Sequence, residues 1–166
     1  MRAKLLIVLL ILLSLGLAGC QKKDMEPVET IIEGTDFRLD AFLSITSESD
    51  APKASYEVEI ATTSKAAIQG LMYRESMAEN QGMLFDPEGA SDTAFWMKNT
   101  YIPLDIIFID INKRISYIVE NTVPFSEELI EAPAIYRYVL ELNAGQTKKK
   151  ELTIGDKIKW IENTSE

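Results

Sequence analysis

Leu104-Asp105-Ile106-Ile107-Phe108-Ile109 is apolar on both parities except at Asp105. Neighbouring side chains of a strand point to opposite faces, so a strand apolar on both must be covered on both. Pro103 precedes the run, and Asp110-Ile111-Asn112-Lys113 follows it as a turn. A short apolar run bounded in this way reads as a central strand buried on both sides. The chain therefore has to build a sheet with material on each face. Asp105 is the anomaly inside it. A lone carboxylate there costs several kcal/mol unless it pairs, takes a proton or reaches backbone donors. Lys98, Arg74 and Arg137 are the cations on offer, and either one of them or backbone donors are expected to hold Asp105.

Other segments carry strand signals of their own. Tyr56, Val58 and Ile60 alternate with Ser55, Glu57 and Glu59, as in a strand with one wet face. Arg114 to Glu120 returns after the turn as a strand rich in Ile, Tyr and Val. Tyr136, Tyr138, Leu140 and Leu142 share one face opposite Arg137, Val139 and Glu141, and Lys157 to Ile161 follows the Gly155-Asp156 turn. Thr62-Thr63-Ser64 offers N-caps for a short helix ending near Gly70. The fold class expected is mainly β: one domain, a β-sandwich or partly open barrel with one or two short helices. Residues 53–162 are assigned to it, about enough for a single core.

The N-terminus addresses the chain to a membrane. Arg2 and Lys4 precede an apolar stretch from Leu5 to Leu15. That is too short to span a bilayer and fits a secretory signal peptide, here residues 1–19. Leu17-Ala18-Gly19-Cys20 resembles the lipobox of bacterial lipoproteins, whose Cys is acylated, with chains such as palmitate, and becomes the new N-terminus. Cys20 is the sole cysteine, so it has no internal disulfide partner. Two or more acyl chains anchor a protein stably. The expected location is the bacterial cell envelope, lipid-anchored, on the periplasmic or extracellular side. Residues 20–52 then read as lipidated Cys and tether, polar at both ends, with Ile31 to Ile45 apolar enough for part of it to pack as an edge strand.

Composition removes most activities. There is no histidine, hence no His-based nucleophile arrangement and no His zinc ligand. The eight glycines form no phosphate-binding loop. Removing Arg2 and Lys4 leaves 15 basic residues against 26 acidic ones, a net charge of −11 that argues against nucleic acid as a partner. Met72, Met83 and Met97 could suggest a copper site, but without His or free Cys beside them they read as core. No metal and no cofactor are expected.

Gly70–Glu75 (GLMYRE), Gly82–Phe85 (GMLF), Phe95–Thr100 (FWMKNT), Ile102–Asp110 (IPLDIIFID) and Tyr138–Gly145 (YVLELNAG) stand in one order. That set resembles the bacterial and archaeal family known as domain of unknown function 192, over about Tyr56 to Ile161. The resemblance implies an exported or envelope-associated single domain, mainly β, with no established reaction. Many members carry a cysteine pair between the last two of these motifs. This chain has Val123-Pro124-Phe125 and Ala132-Pro133-Ala134 there, so no thiol function transfers.

The candidate ligand-binding residues are Trp96, Lys98, Asn99, Asp105 and Arg74. Trp96 and Lys98 share a strand face, Trp96 either as a stacking platform or as core. Asn99 serves a ligand or only caps its loop. A pocket walled by Trp96, Lys98 and Asn99, with Asp105 at or beneath its floor, is expected. Two functional readings follow. One is a non-catalytic module for a small molecule, glycan or envelope protein partner. The other is a carboxylate-based hydrolase or lyase using Asp105 with Glu120 or Glu141, although no catalytic residue is assigned.

Overall fold

The computed structural model describes residues 36–87 and 89–164. The signal peptide, Cys20 and the tether as far as residue 35 lie outside the described residues. Seven strands and two short helices follow in chain order: β1 (Ala41–Thr46), β2 (Pro52–Ala61), α1 (Ser64–Gln69), β3 (Gln81–Phe85), β4 (Leu104–Ile109), β5 (Ile115–Val119), β6 (Tyr138–Asn143), α2 (Gln146–Lys149) and β7 (Lys157–Glu162). They form one mainly antiparallel sheet in the order β5-β4-β6-β3-β2-β1-β7. Only β2 and β3 run parallel, and the crossover that a parallel pair needs carries α1.

A single curled sheet, rather than two stacked ones, resolves the choice between sandwich and partly open barrel. Tyr138 of β6 and Trp160 of β7 are four strands apart in the sheet, yet their rings meet at 5.1 Å, so that face is the inner one. The edge strands touch at the Arg114–Lys157 bridge, which leaves a half-barrel joined at one corner. Leu43, Ile45, Val58, Leu84, Ile107, Leu140, Leu142 and Ile158 fill the inside. On the outer face Met83, Phe85, Ile106, Phe108 and Val139 form a second core with Leu71, Met97, Ile102 and Tyr136 from the connecting segments. Every residue of β4 is buried, as its two-sided apolar pattern requires.

Two expectations are corrected and a third is narrowed. First, the tether was expected to run to residue 52, with at most an edge strand inside it. β1 lies inside the sheet, paired along its length with β2 on one side and β7 on the other. Ala41, Leu43 and Ile45, at every second position, are core residues. Second, the wet face of β2 stops short of Glu59: Ser55 is exposed and Glu57 half-buried, but Glu59, like Glu141 on β6, is buried where the crossover segment covers the outer face.

Third, the alternative left open for Asp105 falls to backbone donors, and among the described residues no cation pairs with it. It is wholly buried and accepts hydrogen bonds from Asn121 N (3.0 Å), Thr147 N (2.9 Å) and Thr147 Oγ1 (2.7 Å). The N-cap of α2 is Gly145, which has no side chain to cap with, so Asp105 satisfies a first-turn N–H from the strand beside β6. The three cations are engaged elsewhere: Arg74 with Glu59 (2.5 Å), Arg137 with Asp86 (2.7 Å) and Lys98 with Glu127 (3.6 Å).

Candidate functional site

The outer face carries a cleft of about 720 Å³. One wall is the start of α1, where Thr63 caps the helix by accepting a bond from Ala66 N (3.2 Å). The other is the extended segment Ser91–Trp96, pinned by the bridges Ser91–Tyr136 and Phe95–Ile130. Phe85 of β3 lies beneath, edge-on to Phe95 at 5.3 Å, and Phe95 is edge-on in turn to Phe108 at 5.9 Å. Tyr136 donates to Thr93 O at 2.5 Å, and burial raises its pKa. Trp96 stands at the rim, 40 % exposed, with Lys98 Nζ 5.0 Å from its ring centre. Aromatic rings and the residues Thr62, Thr63, Ser64, Ser91 and Thr93 line the cleft, and among the described residues no charged side chain does.

A recess of about 30 Å³ adjoins it, sharing Ala67, Ile68, Phe85, Phe95 and Trp96. Its lining adds Gln69, Gly70, Leu71, Met72, Thr100 and Glu141. Glu141 is 5 % exposed, and burial pushes its carboxyl up to about 8, so the acid keeps its proton at neutral pH. Register puts Glu141 between Met83 of β3 and Ile106 of β4, and Glu59 on the far side of Met83. Glu59 is held by the buried Arg74 and lines neither space.

The sequence-derived candidates scatter around this arrangement. Trp96 belongs to both spaces, and Lys98 sits over its ring without lining either. Asn99 adopts a left-handed turn (φ 55°) and donates to Tyr73 Oη at 2.7 Å, while its carbonyl accepts from Tyr73 N at 2.8 Å. It fastens one loop to another. Arg74 is committed to Glu59. Asp105 is not the floor of this cleft: it shares its parity with Ile107 and Ile109, on the inner face, while the cleft is on the outer one. Glu120 meets the Thr147 hydroxyl at 3.0 Å, the hydroxyl that also serves Asp105. The carboxylate pairs considered for hydrolysis therefore divide. Asp105 and Glu120 flank Thr147, and Glu141 is across the sheet.

Met83 and Met97 are buried in the outer core. Among the described residues no group of three His, Cys, Asp or Glu side chains is arranged to hold a metal.

Curled β-sheet, covered outer face and aromatic cleft define a small, mainly-β single-domain protein. The chain belongs to the DUF192 family (Uncharacterized ACR), whose model matches residues 45–160. Two solved structures are similar to it. One is a Sinorhizobium meliloti 1021 protein described as a "putative transcription regulator", 38 % identical, with 75 % of this chain and 97 % of that one covered and a TM-score of 0.71. The other is a protein of unknown function from Novosphingobium aromaticivorans DSM 12444, 34 % identical, covering 72 % and 84 % with a TM-score of 0.68. No functionally curated protein matches the chain.

Proposed function

We propose that this protein is an envelope lipoprotein, anchored through acylated Cys20, whose domain binds a neutral, hydroxyl-bearing small molecule or glycan without transforming it. The observation that carries the binding reading is the 720 Å³ cleft with Trp96 at its rim. Its volume is that of a small-molecule site. Rings that stack and hydroxyls that exchange hydrogen bonds suit a ligand with an apolar face and polar edges. The uncharged lining favours a neutral ligand, since a buried charge would find no partner there.

Catalysis by two carboxylates is disfavoured, because among the described residues the cleft and its recess present a single acid, Glu141. A role at DNA, the sense of the description given to the Sinorhizobium meliloti relative, gains no support from a chain of formal charge −9. Anchoring rests on the LAGC sequence at residues 17–20 behind a short apolar core.

Chitotriose, a neutral trisaccharide, tests the binding reading. In a Trp160→Phe background Trp96 is the only tryptophan, and saturable quenching of its fluorescence is expected. Quenching that is linear in sugar, or unchanged when Phe95→Ala opens the cleft, would overturn the reading. Anchoring is tested separately: the mature protein should partition into detergent with the mass of acyl chains, and Cys20→Ser should abolish both.

A further inference from the structure

The recess beside the cleft contains an acid that the fold gives no work. Glu141 is 5 % exposed and has no side-chain hydrogen bond to any described residue. Burial disfavours the charged form of an acid, so a carboxyl in such a place calls for an explanation. Here the carboxyl lines a space of about 30 Å³, wide enough for one water-sized group and continuous in its lining with the larger cleft. An apolar contact would waste the carboxyl, and a ligand carboxylate would bring a second acid against the first.

We propose that the recess is a subsite for one uncharged oxygen, a hydroxyl or carbonyl, of the ligand whose body lies in the cleft, with Glu141 as the hydrogen-bond donor. This rests on the cleft being a neutral-ligand site. The donor role requires a protonated acid, and the surroundings provide for one. The charged groups that share its face are Arg137, four positions before it and paired with Asp86, and Glu57 and Glu59 on β2, Glu59 already paired with Arg74, while β3 presents Met83 and β4 Ile106. From the covering segments the recess is met by Gln69, Gly70, Leu71, Met72, Thr100 and the ring of Trp96, none of them ionisable. No cation lines it to pull the proton away. Trp96 is thus the shared wall: a sugar-like body stacks on it from the cleft side while one oxygen reaches past it to Glu141.

Chitotriose carries both hydroxyl and amide carbonyl oxygens and serves as the probe, in the Trp160→Phe background. Affinity is expected to hold from pH 5.5 to 7.5 and to fall as pH rises past about 8, where Glu141 gives up its proton. Glu141→Ala should weaken binding about tenfold at pH 6. Glu141→Gln keeps an N–H donor and should bind with no pH step at all, which separates the subsite from a folding defect. Carboxyl carbon NMR gives a reading without ligand: the Glu141 resonance should not titrate near pH 4–5. Three outcomes would count against the subsite. Binding that is equal in all three proteins and flat with pH overturns it and leaves the cleft reading standing. A Glu141 resonance that titrates near pH 4–5 overturns it in the same way. If chitotriose binds none of the proteins, the subsite and the cleft reading fall together.

Discussion

Two buried acids with opposite solutions set the residue scale. Asp105 takes three hydrogen bonds and lies sealed inside the barrel. Asp105→Asn would turn an amide N–H₂ toward at least one of those donors. A loss of about 1–3 kcal/mol is expected, read as a lower thermal midpoint. Asp110→Asn should cost less, because Asp110 accepts from Asn112 N and Arg114 N in an exposed turn. Equal, small shifts at both would show that Asp105 is not held as described. Glu141 instead stays protonated when folded, to about 8, whereas the unfolded chain ionises near 4.5. The folded state therefore binds the extra proton between those values. Stability from this group is complete below about 4.5 and is lost as pH rises toward 8, at up to about 1.4 kcal/mol per pH unit. Glu141→Gln should remove that slope from the pH profile of denaturant midpoints; an unchanged slope would place its origin elsewhere. The sequence disclosed that Asp105 needed rescue but not its rescuers, because Thr147 and Asn121 are distant in the chain and offer backbone groups. Glu141 was visible as the polar parity of an alternating strand and as a possible partner for Asp105, and alternation says nothing about a loop that folds over that face.

Among the elements, β4 was the most legible, since apolar residues on both parities admit little but a central strand. α1 was legible from its ends, with Thr63 capping it and Gly70 closing it at φ 46°. β3 was the least so. Five residues, Gln81–Phe85, gave no alternation, and their place in the sheet depends on a close approach that only the fold reveals. A methyl at Gly82 would meet Glu141 O and a Leu142 side-chain carbon, both at 2.7 Å. The first of these is backbone in the next strand and cannot step aside. Gly82→Ala should therefore push β3 off β6, with a cost of about 1–3 kcal/mol. Because Glu141 and the recess lie at that contact, the variant should also disturb Trp96 fluorescence. A Gly82→Ala protein with an unchanged midpoint and spectrum would mean that the two strands are not so closely set.

For the whole molecule the decisive matter is where the domain begins. Composition placed the boundary near Pro52, and the family match starts at residue 45, inside β1. The sheet contradicts both as a folding boundary. β1 joins β2 to β7, so a chain starting at Pro52 would lose the only strand that connects β7 to the rest along its length. It would also bare the inner core where Leu43 and Ile45 are 1 % and 0 % exposed. Burying two such side chains contributes about 3–6 kcal/mol, and two ladders of backbone hydrogen bonds go with them. A small domain has about 5–15 kcal/mol of stability in total. The loss is of the same order as the whole, and the newly unpaired edges of β2 and β7 invite association. A protein starting at Asp36 should thus unfold in one cooperative step. One starting at Pro52 should aggregate or bind a hydrophobic dye without a sharp transition. If the shorter chain melts cooperatively at a similar midpoint, β1 adds little, and the half-barrel must hold its shape through β2 to β6 alone.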